Sequence, residues 1–262
     1  MKIRNSVTLI SLAIILLSGS CVSTKKMTYL QYSDNSDNSD ITEDNFGRSV
    51  TPAAYKIMPY DNLFIRVLTP DPQWSTLFNI ETGTTGLTQE SAGLSGYSVD
   101  QDGNIELPYV GKVKVGDETL SEIKLKLDSI FKNYVADAAI TIRLVNNAVS
   151  IIGEVQRPGR YLLFKDRINI FEALSLAGDL SAYGDRQKVQ LIRPSRYGPI
   201  VKEFSLADRS ILTSEYYYVM PNDIVYAIPM QGKSFQVNSS VYALFLSVIT
   251  TALVVISYFQ VL

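Results

Sequence analysis

Residues 97–113 read Tyr97-Ser98-Val99-Asp100-Gln101-Asp102-Gly103-Asn104-Ile105-Glu106-Leu107-Pro108-Tyr109-Val110-Gly111-Lys112-Val113. Short stretches of alternating apolar residues, 97–99, 105–107 and 111–115, are separated by residues that favour turns, and this two-residue period is that of β-strands. The Asp102-Gly103 pair favours a tight turn, so 100–104 is expected to join the first two stretches as a hairpin. Downstream, Thr119 and Glu122 form a capping-box pattern ahead of Leu120, Ile123, Leu127, Ile130, Phe131 and Tyr134. Those side chains share one face of a helix, and a strand at 139–144 closes the unit. Upstream, Leu63, Ile65 and Val67 alternate with Phe64 and Arg66 in a strand over 62–68 that stops before Pro70 and Pro72. Residues 74–96, rich in Gly, Thr and Ser, read as a long loop.

A second unit repeats this mixture. Strands are expected at 149–155 and 160–163 around Pro158-Gly159, and Asn169 with Glu172 suits a helix start that Gly178 would end. Further strands follow near 189–193, 200–204, 216–220 and 224–228. Met58-Pro59-Tyr60-Asp61 and Met220-Pro221-Asn222-Asp223 share a pattern in which Pro presets a turn and Asp bonds nearby backbone before a strand begins.

The two ends differ from this middle. Lys2 and Arg4 precede an apolar run over 7–17, followed by Ser18, Gly19, Ser20 and Cys21. This is the layout of a secretory signal peptide, too short in its apolar run for a membrane span. Cys21, the single cysteine, sits where bacterial lipoprotein processing attaches acyl chains, with Leu17 four residues before it and Ser18 where the usual pattern has Leu. Several acyl chains, each buried methylene contributing about 0.8 kcal/mol, would hold that end at a membrane. Residues 21–51 include Ser33-Asp34-Asn35-Ser36-Asp37-Asn38-Ser39-Asp40, too polar to offset ordering entropy by burial, and read as a flexible tether. The alternating acids lack the turn glycine and terminal Glu of a calcium loop.

At the other end, 241–262 is 22 residues without a formal charge, Gly or Pro. As a helix it would reach roughly 33 Å, enough to cross a hydrocarbon core of about 30 Å. Ser240, Ser247, Thr250, Thr251, Ser257 and Tyr258 recur at spacings that place them on one stripe, a seam between helices or the lining of a lumen.

Composition narrows the function classes. The chain has 262 residues, 46% of them hydrophobic, with 24 Lys and Arg against 26 Asp and Glu and no His. There is no dense basic block, so nucleic acid is not an expected partner. Without His, and with its cysteine assigned to lipid, the chain lacks an obvious nucleophile, acid/base pair or zinc set. Asp100 and Asp102 suit turn hydrogen bonding better than glycosidase chemistry. Neither an enzyme nor a bound cofactor is expected.

The stretches 55–67 and 97–113 resemble the opening motif and the central signature of the polysaccharide export domain of outer-membrane polysaccharide export lipoproteins, with Tyr60 where that family has Gly. Ile152-Gly153-Glu154-Val155, Pro158-Gly159-Arg160-Tyr161 and Glu172-Ala173-Leu174 through Ala177-Gly178 resemble the soluble-ligand-binding β-grasp domain that follows in those proteins. The resemblance implies an α+β chain: signal peptide 1–20, tether 21–51, polysaccharide export domain 52–146, β-grasp domain 147–232 and a C-terminal transmembrane helix 238–262. It further implies a non-enzymatic, ring-shaped, octamer-like homo-oligomer anchored through Cys21 in outer-membrane lipid, with its domains in the periplasm. Such a translocon would receive capsular or extracellular polysaccharide from an inner-membrane co-polymerase with tyrosine kinase activity, and relatives close the ring at the outer membrane with a helix from each subunit. The alternative is a glycan-binding or scaffolding envelope lipoprotein that forms no pore.

Overall fold

The computed structural model describes residues 27–31, 53–79, 96–135, 137–145, 147–165, 167–230 and 232–259, with side chains 234–241, 253 and 256–259 excepted. Cys21 and the Ser-Asp-Asn run lie outside these residues.

The first unit begins with strand β1 (Asn62–Leu68), whose Leu63, Ile65 and Val67 point inward while Arg66 and Leu68 face out. The alternation expected for 62–68 is therefore present. Helix α1 (Pro72–Phe78) follows, and it corrects the expectation of loop over 74–78, while 80–95 of that stretch lie outside the described residues. The Asp71 side chain accepts the Gln73 N–H at 2.9 Å, and Pro72 takes the first helical position, where its missing N–H costs nothing. Strand β2 (Tyr97–Ser98) pairs with β1, β3 (Asn104–Leu107) pairs with β4 (Gly111–Lys114), and β5 (Ala139–Leu144) pairs antiparallel with the other edge of β1. The hairpin expected between 97–99 and 105–107 is thus misassigned: β3 turns back onto β4, and β2 belongs to the β2-β1-β5 sheet. The Asp100 carboxylate accepts the Asn104 N–H at 2.7 Å and redirects the chain between sheets. Gly103, at φ +78°, is needed there because a Cβ would lie 3.0 Å from the Gly116 Cα.

Helix α2 (Leu120–Phe131) starts with a complete Thr119/Glu122 capping box and buries Ile123, Leu127 and Phe131. Tyr134, expected on that face, is 45% exposed, since the helix has ended and the chain has turned. The core of this unit gathers Ile57, the inward residues of β1, Phe78, Tyr97, Val99, Ile105, Leu107, Val113 and the apolar face of α2.

The second unit is a five-stranded mixed sheet in the order β10-β9-β12-β6-β7. Its strands are β6 (Ala148–Gly153), β7 (Gly159–Leu162), β9 (Gly184–Arg193), β10 (Ile200–Phe204) and β12 (Ile224–Pro229). β6 and β12 run parallel and the other neighbours antiparallel. Strands β8 (Ile168–Asn169) and β11 (Tyr218–Val219) form a separate pair, and helix α3 (Ile170–Leu176) carries a second complete capping box, Asn169 with Glu172. Gly178 ends it at φ +77°. Ile170, Ala173 and Leu174 of α3 pack on Val149, Ile151, Leu191 and Val225 of the sheet.

Part of the segment read as a tether is docked on this unit. Leu30 N–H bonds the Leu206 carbonyl at 3.1 Å, Arg209 Nε donates to the Leu30 carbonyl at 2.8 Å, and Tyr29 packs edge-on against Phe171 at 5.8 Å. The apolar pair Tyr29-Leu30 supplies the burial that its polar neighbours lack.

Helix α4 (Gly232–Phe259) extends from β12. Among the described residues no helix is long and apolar enough to cross a membrane, so the expected span over 238–262 is not borne out. The α+β class with two β-rich units stands.

Candidate functional site

The opening motif folds as a turn closed by its own acid. Asp61 is 2% exposed, and its Oδ2 accepts the Met58 N–H at 2.9 Å and the Tyr55 hydroxyl at 2.8 Å. Burial and the Asp61 carboxylate push the Tyr55 phenol far above its ordinary range, so it stays a hydrogen-bond donor. Tyr60 occupies the third position of the turn at φ +71°, a left-handed conformation suited to glycine. Its hydroxyl accepts from Gln101 at 2.8 Å, which ties the opening motif to the central signature.

The second Met-Pro-x-Asp turn repeats this geometry. Asp223 is fully buried, its Oδ2 accepts the Met220 N–H at 2.8 Å, and Asn222 holds the third position at φ +64°. Arg193, on β9, adds a bidentate pair to Asp223, Nη2 to Oδ2 at 2.8 Å and Nε to Oδ1 at 3.0 Å. Burial raises the Asp223 carboxyl above the usual carboxylate range, and the guanidinium opposes that shift. The two turns meet, with Asn222 Nδ2 donating to Asp61 Oδ1 at 3.4 Å. Arg196, beyond β9, pairs with Asp117 of the first unit at the surface.

The β3–β4 hairpin borders an open hollow of about 730 Å³ lined by Tyr97, Glu106, Pro108, Tyr109 and Gly111 among others. Tyr109, at the tip, has φ +63°. Tyr97 is 8% exposed, and burial raises its phenol.

Three carboxylates are committed to nearby backbone. Asp100 holds the Asn104 N–H, Glu122 the Thr119 N–H and Glu172 the Asn169 N–H, and these bonds hold all three carboxyls below their ordinary range. Among the described residues no group of three or more His, Cys, Asp and Glu is placed to hold a metal ion. The polar stripe of α4 is described only in part. Ser247, Thr250 and Thr251 are exposed, and Thr250 and Thr251 donate to the Ser247 carbonyl at 2.9 and 2.7 Å. Ser240, Ser257 and Tyr258 lie on the helix backbone with side chains outside the described set, and Cys21 lies outside it altogether. The structure brings together the turn acids Asp61 and Asp223, which sequence reading treated as separate strand starts.

Residues 49–145 match the family model described as polysaccharide biosynthesis/export protein. The EPS I polysaccharide export outer membrane protein EpsA of Ralstonia nicotianae is 29% identical over 127 residues, covering 45% of this chain and 33% of that protein. The protein of the same name from Ralstonia solanacearum is 28% identical over 102 residues, 37% of this chain and 27% of that one. The exopolysaccharide production protein ExoF of Rhizobium meliloti is 27% identical over 139 residues, 51% of this chain and 30% of that protein. This chain spans at most about a third of the length of these curated relatives.

Proposed function

We propose, from the match of residues 49–145 to the polysaccharide biosynthesis/export protein family model, that this chain takes a non-enzymatic part in exporting an extracellular polysaccharide through the cell envelope. The observation that carries the reading is the coincidence between the matched residues and one complete folded unit. The match closes at Val145, whose N–H bonds the Asn62 carbonyl at 2.8 Å as β5 ends, and the unit has its own core.

The site of action is the outer membrane, as in the relatives whose names carry that location, with Cys21 as the lipid attachment point. The second unit is a β-grasp domain of the soluble-ligand-binding kind. In support, β6 and β12 run parallel at the centre of a mixed sheet crossed by α3. Several copies form a ring through which polymer passes from an inner-membrane co-polymerase, and the Ser247, Thr250 and Thr251 stripe lies between copies or faces the lumen. A conduit binds its cargo weakly enough to keep it moving, which agrees with carboxylates spent on backbone rather than on a reaction.

Native mass and shape of the protein, extracted in mild detergent from separated inner and outer membranes, test the assembly. A ring from the outer-membrane fraction is expected; a monomer from the inner-membrane fraction contradicts it.

A further inference from the structure

Phe78, at the end of α1, is 3% exposed and sits at the centre of an aromatic cluster drawn from three elements. Trp74 stacks on it at 5.8 Å and 14°, while Tyr109 and Tyr134 meet it edge-on at 6.0 and 6.1 Å. Phe131 supports it from the core at 5.1 Å. The outer three rings remain open to solvent, Trp74 at 39%, Tyr109 at 66% and Tyr134 at 45%. An ordinary core cluster buries such rings, so this one presents a face.

That face adjoins the hollow through Tyr109. Among the described residues, Glu106 is the charged side chain in the hollow's lining, and Lys112 lies directly across the β3–β4 ladder from it.

We infer that this aromatic face and hollow form a binding site for pyranose units of a polysaccharide. A pyranose ring offers an apolar face of C–H bonds, which lies against aromatic rings such as Trp74, Tyr109 and Tyr134. Its rim of hydroxyls donates to the exposed Glu106 carboxylate. An apolar protein segment would cover the Glu106 carboxylate without pairing it. The inference rests on the export reading for where such a ligand comes from.

Trp74 is the only tryptophan of the chain, so its fluorescence reports on this face alone. The full chain, in a detergent without a sugar headgroup, is titrated with maltohexaose and with cellohexaose as uncharged probes. A saturable change in the millimolar range, with Trp74 shielded from a neutral quencher, is expected for at least one probe. Tyr109→Leu and Tyr134→Leu each weaken it about fivefold to tenfold, and Glu106→Ala, at an exposed position, weakens it about threefold or more. No saturable change with either probe, or a change that these variants leave intact, overturns the site. Shielding of Trp74 that follows protein concentration instead of sugar identifies a contact between copies and also overturns it. Sugar binding in a chain whose loss leaves polymer export untouched would keep the site and remove the export reading; absent binding in a chain that export requires would do the reverse.

Discussion

Asn222 Nδ2 donates to Asp61 Oδ1 at 3.4 Å, so two turns of the same Met-Pro-x-Asp pattern, one from each unit, face one another. Each acid first secures its own turn through the N–H of Met58 or Met220, and the meeting of the turns then joins the units.

Asp61→Ala removes the acceptor of both the Met58 N–H and the buried Tyr55 hydroxyl, and orphaned buried donors cost about 1–3 kcal/mol each. A loss of about 2–4 kcal/mol in urea unfolding is expected, with Asn222→Gly, which removes the amide and suits the left-handed backbone at φ +64°, costing no more than about 1 kcal/mol. Equal losses from the two variants would contradict this division of labour.

Arg193→Ala strands a carboxylate on the fully buried Asp223, and removing one partner of a buried pair costs about 3–5 kcal/mol. Because the folded carboxyl titrates above its unfolded value, its charge penalty is complete above the folded pKa and vanishes as pH falls to the unfolded value. The stability deficit of the variant against wild type should therefore shrink with acidification. A deficit independent of pH between neutral and about pH 4 would show that Asp223 does not carry the effect.

The capping boxes have the opposite pH sign. The Asn169 backbone N–H, with Lys165, holds the Glu172 carboxyl low, and the Thr119 backbone N–H does so for Glu122. Their contribution is present above the unfolded carboxyl range and is lost as pH falls through the lower folded values. Asn169→Ala should cost about 1 kcal/mol at neutral pH, read from thermal unfolding.

Gly153→Ala tests the packing of the parallel pair β6 and β12. Gly153 has φ +88°, and a Cβ there would lie 2.2 Å from the Ala227 carbonyl oxygen. Loss of roughly 2–4 kcal/mol is expected from strain and the displaced strand, with protection from hydrogen exchange falling in β12 before it falls in β1.

Much of this architecture was legible from local chemistry. Thr119 with Glu122 and Asn169 with Glu172 announce helix starts because a capping box is satisfied within four residues, and the alternation of β1 shows in Leu63, Ile65 and Val67. Pairing was harder to read. The Asp100–Asn104 turn has hairpin chemistry but links strands of different sheets, since β2 finds its partner in β1, where Leu63 pairs with Tyr97 and Asn62 with Ser98. Helix α1 was hidden by a window begun at Trp74, although Asp71-Pro72 carries its start signal. The aromatic face could not be read from sequence because Trp74, Tyr109 and Tyr134 come from separate elements and converge only through Phe78.

Export itself is tested most directly by deleting the gene in frame, restoring it on a plasmid, and following a pulse of labelled sugar into cell-surface and cell-retained polymer. The account predicts that deletion leaves synthesis running while labelled polymer accumulates inside the envelope and fails to reach the surface, with restoration by the wild-type chain. Unchanged delivery of labelled polymer to the surface in the deletion strain would contradict it.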